Sequence, residues 1–261
     1  MNTLLLASAV VASLAPGIAW ADEPAVAPRK VVLDPGHGGS NAGALGSLVL
    51  EKNLTLALAE LVTTELAELA KTEGLALEVS LTRRADQTLT LRQRSDIANL
   101  RGADLFVSLH GNASVSRAQR GFETYVLTPA AVEGIALALR GDQATPRPGT
   151  TPQISSVLDD IERGATQWEA ADLAVAVQRE LRQVRGAAGD RGVRQDAHHV
   201  LLGATMPAIL VEVGFVDHPQ EGRELAEPAL QRELARAIAR AIMTQLNESP
   251  RRSGPTKLAA R

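Results

Sequence analysis

Four polar residues stand out because each breaks an apolar pattern: His37, Glu51, His110 and Glu212. His37 lies in the glycine-rich loop Asp34-Pro35-Gly36-His37-Gly38-Gly39, directly after the β-branched run Val31-Val32-Leu33. Glycines around the imidazole remove Cβ crowding and permit positive φ, so the backbone can turn tightly and approach a bound atom. Glu51 opens the next helical stretch, and His110 ends the apolar run from Ala103 to Leu109. Glu212 interrupts the most hydrophobic run of the chain, Ala208 to Val213. An unpaired carboxylate there is costly without a cation or hydrogen bonds. Singly, the others have ordinary explanations: a carboxylate at a helix start complements the helix dipole, and a lone histidine is usually at the surface or hydrogen-bonded.

Together they describe a chemistry. Two imidazoles and one carboxylate form a common catalytic zinc set, with the fourth position left to water. The ion lowers the pKa of that water and polarises a carbonyl oxygen. A second carboxylate can then take the proton and return it to a leaving nitrogen. His37, Glu51 and His110 are therefore assigned to one Zn²⁺ ion and Glu212 to the acid/base role, although spacing alone leaves Glu51 and Glu212 interchangeable. Mg²⁺ or Ca²⁺ would favour oxygen donors over imidazoles. His198 and His199 are adjacent, so in a strand they face opposite sides and cannot easily share one metal. His218 lies in a turn beside Pro219. These three are read as structural or substrate-facing. No G-x-S-x-G elbow, P-loop or G-x-G-x-x-G fingerprint offers another chemistry.

The elements that must position these groups can be read along the chain. Strand patterns are expected at Lys30–Asp34, Leu75–Arg83, Ala103–Leu109, Gly121–Leu127, His199–Leu202 and Ala208–Val213. Helices are expected over Glu51–Lys71, with Leu54, Leu58, Leu61, Val62, Leu66 and Leu69 on one face, and from a capping box at Thr90-Leu91-Arg92-Gln93 to Leu100. Others span Trp168–Val184 and Pro228–Leu246. Strands alternating with helices give a single α/β domain with a largely parallel central sheet and helices on both faces. The strands ending at Asp34, Leu109 and Val213 are the most apolar and hence central. Carboxyl ends of parallel strands share one edge, so the four polar residues converge there.

The 261 residues, 45% hydrophobic, suffice for one substantial core. A net charge of −3 argues against capture of nucleic acid or anionic membrane. Cysteine is absent, which removes disulfides, thiolate nucleophiles and Cys-based metal sites. Residues 1–21 read as a secretory signal: an apolar stretch from Leu4 to Ile18, then Ala19-Trp20-Ala21, without a preceding Lys or Arg. The run is too short and broken to span a membrane comfortably, so the mature protein is expected to be exported, with no stable membrane insertion. Residues 22–29 form a Pro/Ala linker, 30–248 the catalytic domain and 249–261 a disordered basic tail. Within the domain, residues 128–166 read as an irregular insertion holding the Pro/Gly/Thr-rich run Gly141–Pro152.

The motifs carry a resemblance. Leu33-Asp34-Pro35-Gly36-His37-Gly38-Gly39, Gly43-Ala44-x-Gly46, Glu51-Lys52-Asn53-Leu54, Leu81-Thr82-Arg83 and Arg94-Ser95-Asp96-Ile97-Ala98-Asn99 are followed, in order, by three more. These are Ser108-Leu109-His110-Gly111-Asn112-Ala113, Arg191-Gly192-Val193 and Met206-Pro207-Ala208-Ile209-Leu210-Val211-Glu212-Val213-Gly214-Phe215. Over Lys30–Leu246 the sequence resembles the zinc-dependent N-acetylmuramoyl-L-alanine amidases of the amidase-3 type. The resemblance implies a sheet of about six strands, zinc held by His37, Glu51 and His110, and catalysis by Glu212, which resolves the interchange left open by spacing. It implies hydrolysis of the amide between the lactyl group of N-acetylmuramic acid and L-alanine in peptidoglycan, in the periplasm or cell wall. Targeting is then left to the catalytic domain or a protein activator. Different readings are a non-catalytic peptidoglycan-binding homologue and a zinc peptidase cutting within the stem peptide. Departures from the family pattern are His198-His199 where an aromatic commonly precedes Val-Leu, and Asp217-His218 where Ser-Asn is usual. Residues 128–166 are expected to form a partial lid, with Asp159, Asp160 or Glu162 near the metal.

Overall fold

The computed structural model describes residues 27–46, 48–133 and 149–249. The expected signal, most of the linker, the middle of the insertion and the tail from residue 250 lie outside them. Among the described residues no helix is long and apolar enough to cross a membrane.

The chain begins with β1 (Arg29–Pro35), followed by the histidine loop and α1 (Glu51–Glu73). Leu54, Leu58, Val62, Leu66 and Ala70 form the buried stripe of α1. Gly74 ends the helix in the left-handed conformation, its N–H donating to the Ala70 carbonyl. Next come β2 (Leu77–Leu81) and α2 (Leu91–Arg101). The capping box of α2 is present: Thr90 Oγ1 accepts from the Gln93 amide at 3.2 Å, and Gln93 Oε1 accepts from the Thr90 amide at 2.8 Å. Then follow β3 (Leu105–Asn112), β4 (Phe122–Leu127), α3 (Pro152–Arg185), β5 (Asp190–Asp196), β6 (Ala208–Phe215), α4 (Glu221–Ala226) and α5 (Pro228–Glu248).

The six strands form one sheet in the order β2-β1-β3-β6-β4-β5. The apolar strands β1, β3 and β6 are interior, as their composition requires. Pairing is parallel except between β4 and β6, which run antiparallel, so β4 and β5 enter the sheet against the other four. Side chains of alternate parity face opposite sides. Val31, Leu33, Leu105, Val107, Leu109, Ile209, Val211 and Val213 pack into the larger core under α1, α3 and α5. Val32, Phe106 and Leu210 face the other side, beneath α2 and a turn segment that supplies Val200, Leu201 and Met206. Ser108, His110 and Glu212 share the parity of this second face, which is therefore where the polar residues gather.

Two expectations are corrected. His199–Leu202 is not a strand but a run of turns whose Val200 and Leu201 plug the second face. The fifth strand is instead Asp190–Asp196, which has a single aliphatic residue, Val193, and forms the sheet edge, where few apolar residues are needed. Residues 152–166 are regular rather than irregular, continuing into one 34-residue helix capped by Thr151, whose Oγ1 accepts from the Ile154 amide. Gly164 within it carries a helix penalty of about 1 kcal/mol relative to alanine, which is small against the packing of the helix's second half.

Candidate active site

The histidine loop is fixed from below by buried charge. Asp34, fully buried, accepts from Thr82 Oγ1 at 2.5 Å, Ser108 Oγ at 2.8 Å and Arg94 Nη1 at 2.8 Å. Arg94 also donates to the carbonyls of Pro35 and His37, at 2.8 and 2.7 Å. Arg83 donates to those of Pro35 and Gly36, at 2.9 and 2.8 Å. Two guanidiniums thus satisfy carbonyls at the end of β1 and in the loop, and Thr55 Oγ1 adds a hydrogen bond to that of Gly36 at 2.9 Å. On this base His37 adopts a left-handed φ of 57°, a conformation costing a non-glycine residue about 1–2 kcal/mol.

That turn brings the imidazole to Glu51, the first residue of α1. Glu51 Oε1 lies 3.0 Å from His37 Nε2 and 2.9 Å from His110 Nδ1, and accepts from the Gly111 amide at 3.0 Å. Its Oε2 accepts from the Ala44 amide at 2.6 Å. The two imidazole rings meet edge to face, with centroids 4.9 Å apart. Two glycines make the approach possible. A Cβ on Gly36 would lie 2.4 Å from the His110 ring, and one on Gly43 would lie 2.4 Å from Glu51 Oε2.

Among the described residues, His37, Glu51 and His110 form the group able to hold a metal ion, each offering an atom within 4.8 Å of the others. The surroundings fit a cation. Asn41 Oδ1 accepts from the Gly43 amide at 3.1 Å, which fixes it as the amide oxygen, and it lies 3.0 Å from His37 Nδ1. His37 therefore carries its proton on Nδ1 and, when neutral, aims the Nε2 lone pair at Glu51 Oε1. Lone pair and carboxylate repel unless a proton or cation lies between them. Burial lowers the His37 pKa, but the hydrogen bond and charge of Glu51 outweigh it and the net shift is upward. Burial penalises the Glu51 carboxylate, yet the two histidines hold it well below the usual carboxylate range. Two nitrogens and one oxygen are a donor set suited to zinc.

Glu212 lies beside this group. Its Cα pairs in register with His110 across β3 and β6, and with Glu123 across β4 and β6. Part of the residue reaches the surface, but Oε2 is shielded from solvent and has no hydrogen-bond partner. Burial, then the charges of Glu51 and Glu123, push its pKa well above the ordinary value. A carboxyl shifted upward in this way keeps its proton to higher pH than an ordinary one, a property suited to an acid/base group.

The structure gives a place at the site to residues for which the sequence reading offered no role. Glu123, 2% exposed, accepts from Asn112 Nδ2 at 2.7 Å and Tyr125 OH at 3.0 Å through Oε1. Through Oε2 it pairs with Arg191 Nε at 2.9 Å and Arg194 Nε at 2.6 Å. Burial and the Glu123 carboxylate push the Tyr125 hydroxyl up to about 12. The remaining histidines stay outside the metal-capable group. His198 sits edge-on to Tyr125 at 4.3 Å, and His199 is exposed. His218 Nδ1 accepts from the amides of Gln220 and Glu221, capping α4. Asp217 Oδ2 accepts from the Ser114 amide at 3.0 Å. Asp159, Asp160 and Glu162 lie on the first half of α3 and are not members of the metal-capable group.

Residues 31–244 match the family model described as N-acetylmuramoyl-L-alanine amidase. The amidase AmiA of Escherichia coli K12 is 31% identical over 225 residues, covering 83% of this chain and 75% of its own. The sporulation-specific N-acetylmuramoyl-L-alanine amidase of Bacillus subtilis 168 is 32% identical over 222 residues, or 84% and 68%. Among solved structures, the catalytic domain of CwlV, an amidase from Bacillus (Paenibacillus) polymyxa, superposes with a TM-score of 0.62 at 30% identity, over 85% of this chain and 99% of that one. An N-acetylmuramoyl-L-alanine amidase of Clostridium difficile 630 gives 0.65 at 26% identity, with the same coverage.

Proposed function

This chain belongs to the N-acetylmuramoyl-L-alanine amidase family, and on that premise we propose that it is an exported, zinc-dependent amidase. Its reaction is hydrolysis of the amide that joins the lactyl group of N-acetylmuramic acid to L-alanine in peptidoglycan. The observation that carries this reading is the convergence of His37, Glu51 and His110 beside the shielded, unpartnered Oε2 of Glu212.

His37 Nε2, His110 Nδ1 and Glu51 would hold the zinc, which when bound supplies Lewis acidity toward the scissile carbonyl and toward water. Glu212 takes a proton from the water whose oxygen attacks the carbonyl carbon. As the carbon–nitrogen bond breaks, the same carboxyl gives that proton to the departing alanine nitrogen. The products are a lactyl carboxylate on the glycan and a free amine on the peptide. Asn41 keeps the His37 lone pair aimed inward, and Arg94 holds the loop that carries it. Export follows from the expected signal at residues 1–21 and from the location of the substrate. A protein activator is proposed as a second partner. CwlD of Clostridioides difficile, a neighbour in fold at 24% identity, is described in complex with the GerS lipoprotein.

Mass spectrometry of digested sacculi tests the proposal. The expected products are sugar-free peptides beginning with L-alanine and peptide-free glycan, absent after chelation and with Glu212→Ala. Cuts within the stem peptide would make the protein a peptidase, and binding without cleavage would make it a non-catalytic homologue.

A further inference from the structure

A row of polar groups crosses the second face of the sheet: His110 on β3, Glu212 on β6, Glu123 on β4 and Arg194 on β5. Two guanidiniums meet one carboxylate at the end of this row, since Arg191 Nε and Arg194 Nε both pair with Glu123 Oε2. One arginine would suffice to neutralise Glu123, so the second guanidinium is not needed to balance that carboxylate.

The two arginines are held differently. Arg191 donates also to Gln119 Oε1 at 3.1 Å and lies 5.0 Å from the centroid of the Phe215 ring, and its side chain is 28% exposed. Arg194 is 47% exposed, and beyond its Nε contact its terminal nitrogens have no protein partner among the described residues. A guanidinium has five N–H donors in a planar fork. With Nε committed to a rigid, buried carboxylate, the outer edge of Arg194 is oriented without being used. Such an edge matches a carboxylate in bidentate geometry.

Distance places a ligand group there. Neighbouring strands are about 4.8 Å apart, so the backbone of β5 lies roughly 14 Å from that of β3. An extended peptide advances about 3.3–3.6 Å per residue. If the peptide runs along this row with its scissile carbonyl at the metal-capable group, the residue after L-alanine falls over Glu212 and Glu123, within reach of the outward guanidinium. We infer that Arg194, oriented by Glu123, is a specificity residue that reads a free carboxylate on the peptide residue following L-alanine. This inference rests on the amidase reading given above and names the substrate feature that the same site selects.

The test compares two N-acetylmuramoyl-L-alanyl peptides that differ only in whether the residue after alanine carries a free carboxylate or the corresponding carboxamide. The native enzyme is expected to show about tenfold higher kcat/KM for the carboxylate form, expressed in KM more than in kcat. Arg194→Gln should bring the ratio close to one, and Arg194→Lys should keep only part of it, because an ammonium lacks the planar fork. Equal rates on the two peptides with native enzyme, or an unchanged ratio in Arg194→Gln, overturn the inference while leaving the amidase reading intact. Hydrolysis of neither peptide overturns the amidase reading. Calorimetric binding to the Glu212→Gln protein then still decides this inference, by showing or lacking the same preference without turnover.

Discussion

Glu212 and Glu123 face each other as a register pair across β6 and β4, two carboxyl groups on one face of the sheet. They are not equivalent. Glu123 has Asn112, Tyr125, Arg191 and Arg194 around it, whereas Oε2 of Glu212 has no partner. Environment thus divides the pair into a member held by four partners and one whose shielded oxygen has none, the kind of asymmetry by which two identical side chains acquire different roles.

Removing the negative charge of Glu123 should therefore be visible in the pH dependence of the reaction. Glu123 raises the Glu212 pKa, and a base must be ionised to act. In Glu123→Gln the acidic limb of the kcat/KM profile is expected to move to lower pH, measured on a soluble muramoyl peptide. A limb that stays in place or moves to higher pH would show that Glu123 does not act on Glu212.

Glu212→Gln preserves size and hydrogen-bonding capacity but cannot carry the proton. A loss in kcat on the order of 10²–10⁴ is expected, with zinc affinity within a few-fold of native by chelator competition. Retained turnover would assign the acid/base role elsewhere.

How much of this could be read from the chain itself depended on where the strands point. His37, His110 and Glu212 were legible because polar residues that end or interrupt strongly apolar strands mark the carboxyl edge of a parallel sheet. Glu123 was not, and Arg191 was legible only as part of a motif with no role attached, because β4 and β5 run against the other strands and bring residues near their beginnings to the same edge. β5 itself was obscured by its polarity, since an edge strand in Asp-Arg-Gly-Val-Arg-Gln-Asp offers no apolar period. Val200-Leu201-Leu202 gave the opposite error: an apolar run whose Val200 and Leu201 fill the second core as turns rather than as a strand. Arg83 and Arg94 belonged to recognisable motifs, but their task of holding the carbonyls of residues 35–37 has no local sequence signature.

Asn41 fixes which nitrogen of His37 faces inward. Asn41→Ala should weaken zinc binding by about 10–100-fold, the usual consequence of losing such an outer partner, with little change in thermal stability. Unaltered affinity in a competition titration would mean that packing alone sets the ring.

Arg94 and Asp34 form an ion pair with side chains 4% and 0% exposed. Arg94→Met leaves the Asp34 charge uncompensated, and a loss of about 3–5 kcal/mol is expected by denaturant unfolding. The double variant with Asp34→Asn should recover part of that loss, because the stranded charge is gone. Strictly additive losses would argue against the pairing.

The most direct measurement is zinc titration of the metal-free native protein beside its His110→Ala variant, with the bound ion quantified after dialysis. The account predicts one zinc per native chain, affinity that weakens on acidification as His37 takes up a competing proton, and a drop of at least 100-fold in the variant. Native protein that retains no zinc, or a His110→Ala variant that binds it as well as the native chain does, would contradict the metal centre on which the proposed reaction depends.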